Sequence, residues 1–104
     1  MLFDDYQKVA KTTAIYPENY KIVYPALGLA GEAGEVCEKI KKSIRDGKPL
    51  DVQQLTLELG DVLWYISAIA SDAGILLDTV AQNNLLKLKS RQERSVISGS
   101  GDNR

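Results

Sequence analysis

The sequence predicts an all-α fold, an antiparallel bundle of about four helices per chain that oligomerisation completes. Three observations carry that expectation. Apolar residues recur at intervals of three and four along four stretches, and no stretch reads as a strand. The third helical stretch is apolar nearly all round, as a helix buried on several sides is. The 104 residues suffice for one domain, expected over residues 1–94 with an extended or irregular arm at 95–104. A domain this small buries a limited share of its surface, so a dimer or tetramer of identical chains is expected to complete the core.

The first helix is expected from about Asp4 to Thr13, with Phe3, Tyr6, Val9 and Ala10 near one face. Residues 14–24 contain Pro17, Glu18 and Asn19 and read as a loop. Pro25 then opens a second helix to about Arg45, since a first-turn residue needs no N–H. Its expected core stripe is Leu29, Ala33, Val36, Ile40 and Ile44, with Cys37 buried beside it. Gly28, Gly31 and Gly34 each cost on the order of 1 kcal/mol against alanine in a helix, which suggests that something packs close to this backbone. Lys39, Lys41, Lys42 and Arg45 suit its C-terminal end, and Gly47 and Pro49 stop it. In the third helix Asp51 is the expected cap, with Gln54 three residues on. Leu55, Leu59, Val62, Ile66 and Ile69 form a stripe there, Leu57, Leu63, Trp64 and Tyr65 cover other directions, and Gly74 ends the helix. The fourth is expected from a cap at Asp78 to about Glu93, with Val80, Leu85 and Leu88 as its apolar contacts.

Composition excludes several functions. The formal net charge is -1, so no basic excess exists to neutralise a phosphate backbone and nucleic acid is not an expected partner. No apolar run approaches the roughly 20 residues that cross a bilayer, and the acids at Asp4 and Asp5 sit where a signal peptide carries bases. A cytoplasmic protein without a membrane partner is the expectation. The chain has one cysteine, so no internal disulfide. It has no histidine. That removes histidine-based triads, His-type zinc sites and the Glu-x-x-His pairs of di-iron bundles. Any metal must be held by oxygen, which points to magnesium, manganese or calcium.

Two acidic pairs carry the functional reading, Glu32 with Glu35 and Glu58 with Asp61. Residues three apart on a helix lie on neighbouring turns of one face. Both pairs fall mid-helix beside apolar stripes, on consecutive helices whose short connection favours antiparallel packing. Midpoint then meets midpoint, and four carboxylates converge. Such a group repels itself and either takes up protons or gathers cations. A single acidic pair is usually a solvated helix face, and Lys39 can pair with Glu35 at the surface. Two pairs in register shift the balance towards a metal site. On the fourth helix Asn84, Lys87 and Arg91 share a face, a donor stripe suited to phosphate oxygens if it is not simply solvated. Trp64 and Tyr65 are core, interface or nucleobase platforms.

At these residues the sequence resembles the MazG-like branch of the all-α nucleoside triphosphate pyrophosphohydrolases. Glu32-Ala33-Gly34-Glu35 and Glu58-Leu59-Gly60-Asp61 are similar to the family's Glu-x-x-Glu and Glu-x-x-Asp halves. Asn84-Leu85-Leu86-Lys87-Leu88 with Arg91 looks like its Asn-x-x-Lys-Leu-x-x-x-Arg segment, and residues 99–104 resemble the ending of small single-domain members. The resemblance implies magnesium, or manganese in its place, bound by Glu32, Glu35, Glu58 and Asp61. It implies a nucleotide substrate cleaved between the α and β phosphates to a nucleoside monophosphate and pyrophosphate, in nucleotide-pool housekeeping or alarmone control. Magnesium neutralises polyphosphate charge, orients the α-phosphorus and lowers the pKa of a bound water. Asn84, Lys87, Arg91, Lys39, Trp64 and Tyr65 are the expected substrate contacts. The competing expectation is a non-catalytic helical scaffold that merely oligomerises or binds nucleotide.

Overall fold

The computed structural model describes all 104 residues, Met1–Arg104. Four α-helices follow one another: α1 (Phe3–Lys11), α2 (Val23–Asp46), α3 (Val52–Asp72) and α4 (Leu77–Glu93). A single 3-10 turn at Glu18–Tyr20 interrupts the α1–α2 connection, and there is no strand. The all-α class expected from the sequence is therefore what forms.

The organising unit is the α2–α3 hairpin. Gly28 meets Tyr65 while Glu32 meets Glu58 and Asp61, a pairing that runs backwards along the chain as antiparallel helices require. Pro25, Leu29, Glu32, Val36, Lys39 and Ser43 of α2 are half-buried or buried and spaced alternately by four and three, with Gly28 and Glu38 half-buried beside them. Their counterparts on α3 are Leu55, Glu58, Val62, Tyr65 and Ile69, with the same alternation. This is the heptad spacing of helices that mesh along a shallow seam. The polar members Glu32, Lys39, Ser43 and Glu58 break the apolar pattern of that seam.

Their presence explains where the expected stripe fails. Leu29 and Val36 turn inward, but Ala33, Ile40 and Ile44 do not; Ile44 is 77% exposed. Cys37, expected to be buried, is exposed as well. The true contact stripe is rotated by about 60° from the most apolar one, towards the side that carries the acids. Similarly, α1 buries Gln7 and leaves Val9 69% exposed, and α4 buries Leu77 and Arg91 while Val80, Leu85 and Leu88 remain exposed.

The connections hold by specific bonds. Gly47, in the left-handed region, ends α2 with hydrogen bonds from its N–H to Ile44 and from the Lys48 N–H to Ser43. Gly74 closes α3 in the same manner. Asp51 caps α3 as expected, its carboxylate accepting the Gln54 N–H at 3.1 Å. Helix α2 begins at Val23, two residues before Pro25, which sits in the first turn where its missing N–H is harmless. Ile22 immediately before it has φ 68, a conformation that a β-branched residue adopts only under constraint. The constraint is Asp72: one carboxylate oxygen accepts the Ile22 N–H at 2.9 Å and the Tyr16 hydroxyl at 2.6 Å.

Helix α3 is the central one, packing against α2, α1 and α4. Helix α4 leaves it at 104°, so the four helices do not close into a parallel-sided bundle. No side chain of α4 itself caps it: Asp78, the expected cap, lies in the first turn and bonds Gln82 instead. The cap comes from another helix. Gln7 Oε1 accepts the Leu77 N–H at 2.8 Å, and Gln7 Nε2 donates to Ser71 Oγ and to the Ile75 carbonyl. One buried amide thus ties α1, the end of α3 and the start of α4 together. Gln7→Ala leaves a buried N–H and a carbonyl without partners, and is expected to cost roughly 1–3 kcal/mol in chemical denaturation.

Candidate metal centre

The hairpin brings acids from two helices together. One carboxylate oxygen from each of Glu32, Glu58 and Asp61 lies within 4.8 Å of the others. Glu32 and Glu58 are half-buried in the α2–α3 seam, and Asp61 is exposed at its edge. Glu35 is outside this group and exposed. Being three residues from Glu32, it is rotated about 60° further out of the seam.

Electrostatics agree with the geometry. The Glu32 carboxyl is pushed above its usual range, first by desolvation, then by the negative charges of Asp61, Glu58 and Glu35, and by a hydrogen bond to Glu58. Without a cation, the crowding of negative charge in the seam disfavours the ionised form of Glu32. A hard divalent ion removes the conflict, and the donor set, all carboxylate oxygen, is the one magnesium or manganese takes. The residues present fit such an ion.

Aromatic residues flank the acids. Tyr65 packs so close to α2 that a Cβ on Gly28 would lie 2.1 Å from its ring, and its hydroxyl is held above its usual range by burial and by nearby Tyr24, Glu32 and Asp61. Gly31 and Gly34 meet no such neighbour, so the expected close approach occurs at Gly28 alone. Beyond Tyr65, a cavity of about 260 Å³ is lined by Thr13, Ile15, Tyr16, Pro17, Tyr24, Trp64 and Tyr65. Tyr16 and Tyr24 stack at 4.8 Å, Trp64 and Tyr65 meet edge to face at 5.0 Å, and Trp64 Nε1 donates to Thr13 Oγ1. Tyr16 and Tyr24 were not among the residues that spacing singled out. The crowding of tyrosines into residues 16–24 was the available signal. Tyr6 also reaches the acids, its hydroxyl raised by burial and by Asp61.

The donor stripe of α4 is elsewhere. Eleven residues, about 16 Å of helix, separate Asp61 from the end of α3, and Lys87 lies about 15 Å along α4, which runs off nearly at right angles. Lys87 and Asp61 are therefore on the order of 20 Å apart within a chain, beyond side-chain reach. Lys87 Nζ and Arg91 Nη2 instead grip one Asp102 carboxylate oxygen at 2.8 and 3.0 Å. Arg91 is buried, and Asp102 is held below the usual carboxylate range by these two cations. Arg94 binds the Arg104 carbonyl, while Arg104 donates to Val96, Ile97 and Gly101. The arm at 95–104 is thus folded back on α4, not extended. Asn84 is exposed and makes no side-chain hydrogen bond. Lys39 sits half-buried in the seam and forms no ion pair with Glu35; the surface pairs of α2 are Glu38 with Lys41 and Arg45 with Asp46, each at 2.7 Å.

A helical hairpin carrying Glu-x-x-Glu against Glu-x-x-Asp defines a class. The family model for the MazG nucleotide pyrophosphohydrolase domain matches residues 25–96, and the chain belongs to that family. The matched span takes in α2, α3, α4 and all four acids. The chain is also similar to the Gene 37 protein of Mycobacterium phage L5, with 46% identity over 114 aligned positions covering the whole of both chains. No solved structure matches it.

Two outcomes follow from this geometry. Glu32 binds its proton more tightly in the folded chain than in the unfolded one. The folded state therefore loses stability as pH rises from the ordinary glutamate range through the raised value, and stays lower at neutral pH. In metal-free buffer at pH 7, Asp61→Asn is expected to raise the Tm, whereas magnesium is expected to raise the Tm of the unmodified protein and not of the variant. Gly28→Ala must displace the Tyr65 ring, with an expected cost of about 1–3 kcal/mol and weaker stabilisation by magnesium in the same thermal scans.

Proposed function

We propose that the chain hydrolyses nucleoside triphosphates or related nucleotides between the α and β phosphates, releasing a nucleoside monophosphate and pyrophosphate. The family's activity is nucleotide pyrophosphohydrolysis. The observation that carries the reading to this chain is the convergence of Glu32, Glu58 and Asp61 from two helices within 4.8 Å. These three carboxylates would hold magnesium, or manganese in its place. When bound, that ion supplies neutralisation of polyphosphate charge and a more acidic water.

The remaining residues divide the work. Glu35 stands beside the cluster without belonging to it, which suits a carboxylate that accepts the proton of the attacking water. The water oxygen bonds to the α-phosphorus as the bridging oxygen leaves with pyrophosphate. The aromatic cavity has room for a nucleobase ring but not a whole nucleotide, and Tyr65 forms the wall it shares with the acids. Trp64, Tyr16 and Tyr24 are assigned to base contact on that ground, with Lys39 near the phosphates. Asn84, Lys87 and Arg91 enter the reading only as residues offered to a neighbouring copy's site, since their own chain's acids are out of reach. Nucleotide-pool housekeeping or nucleotide control is the corresponding role.

The test is a nucleotide panel with magnesium that resolves pyrophosphate from orthophosphate. Pyrophosphate with the monophosphate is the expected first product, and orthophosphate as first product overturns the assigned bond. Glu58→Gln and Asp61→Asn are expected to lower kcat/KM by at least about 100-fold. Glu35→Gln is expected to lower kcat with little change in KM, as loss of a group acting in the transition state does. No hydrolysis of any nucleotide in the panel, with the three variants folded as stably as the unmodified protein, would favour the non-catalytic scaffold.

A further inference from the structure

The seam between α2 and α3 has one more rung beyond Pro25 and Ile69. The next step of three along α3 is Asp72, the last residue of that helix, and the matching step back along α2 is Ile22. Here the contact is polar. One Asp72 oxygen, Oδ2, accepts the Ile22 N–H at 2.9 Å and the Tyr16 hydroxyl at 2.6 Å. Both donors bear on the same pair of rings. Tyr16 stacks on Tyr24 at 4.8 Å with an inclination of 21°, and Ile22 is the residue from which α2 starts, two before Tyr24. With the aromatic cavity read as the nucleobase site, we infer that Asp72 is a positioning residue for the base, fixing both tyrosine platforms without touching what they hold. Asp72 is not part of the cavity wall; it borders a different cavity, with Lys11, Glu18 and Lys21.

Little else holds the connection that carries these rings. Of residues 12–24 only Ala14 and Tyr16 are even half-buried, and Ile15 is 93% exposed. Apart from the bond between Thr13 and Trp64, the other hydrogen bonds of this segment join residues at most four apart. Segments with few buried apolar contacts and exposed backbone open most readily. Ile22 adds a bias towards opening, because its φ of 68 is unfavourable for a β-branched residue and is kept by the bond to Asp72. Burial, and then the bond to Asp72, raises the Tyr16 hydroxyl above its usual range, so it remains the donor. Without Asp72, Tyr16 loses its anchor and Ile22 relaxes. A base must then order both rings as it binds, a cost that appears as lost affinity. The metal centre is left alone, since Asp61 lies about 16 Å back along α3.

Trp64 is the chain's one tryptophan and lines the cavity, so its fluorescence reports occupancy. Quenching is titrated with AMP, GMP, CMP and UMP in magnesium buffer, and KM and kcat are measured for the triphosphate turned over fastest. Asp72→Ala is expected to raise Kd and KM at least about tenfold and to leave kcat within about twofold. Asp72→Asn, whose amide oxygen can accept both bonds, is expected to bind within about threefold of the unmodified protein. Stabilisation by magnesium is expected to persist in both variants. Tyr16→Phe keeps the ring and loses the bond; it is expected to weaken binding in the unmodified protein and to add nothing in Asp72→Ala, as two ends of one interaction do. Unchanged affinity in Asp72→Ala, or in Tyr16→Phe should Asp72→Ala fail to fold, overturns the role of Asp72 while the base site stands. A loss in Asp72→Ala confined to kcat overturns it as well. No quenching of the unmodified protein by any of the four nucleotides removes the base site itself, and the role of Asp72 with it.

Discussion

The contact of Tyr65 with the backbone of α2 fixes the register on which the other features depend. Only hydrogen at Gly28 leaves room for the ring, and a side chain there would stand 2.1 Å from it. With that contact in place, each step of seven along α2 meets a step of seven back along α3, and Glu32 comes opposite Glu58 and Asp61. A slip of one residue on either helix would rotate an acid by about 100° out of the seam and separate the group. The same ring is a wall of the aromatic cavity, so one side chain sets helix register, acid spacing and cavity shape together.

Placing acids in that seam has an energetic consequence. Glu32 and Glu58 occupy positions that leucine or valine would fill in an ordinary helical hairpin, and Glu32 is left desolvated and repelled by three neighbouring carboxylates. The fold holds them through bonds made elsewhere. Gln7 ties α1, α3 and α4 at one end, Asp72 fixes the strained Ile22 and Tyr16 at the start of α2, and glycine stops with ordered hydrogen bonds terminate α2 and α3. On α4, Lys87 and Arg91 are neutralised by Asp102 of the chain's own C-terminal arm. Lys87 and Arg91 are thus kept apart from the acids of the seam within a chain.

Much of this was legible in residue order. The helices follow from three-and-four periodicity, and their ends from Gly47, Asp51 and Gly74, because capping is local chemistry settled by a few adjacent residues. The acids were legible too, since two i, i+3 pairs on consecutive helices have few other placements. The errors share one cause. Hydrophobicity ranked Val9 above Gln7, Ile44 above Ser43, and Leu85 above Arg91 as core, and in each case the polar residue is the more buried. Gln7 and Arg91 are buried because each has hydrogen-bond partners well along the chain, and periodicity carries no information about partners.

The sequence by itself determined the helical class, the helix boundaries to within two or three residues, and the presence of paired acids mid-helix, all properties of neighbours within a turn or two. The tertiary structure decided which acids meet, leaving Glu35 outside. It also turned α4 away at 104°, gave Lys87 and Arg91 to Asp102, and chose the seam that α3 covers on a helix with two apolar-spaced rows. These depend on which surfaces touch. A helix whose two sides are both heptad-spaced is ambiguous until a second helix, held in register by a glycine and a tyrosine, takes one of them.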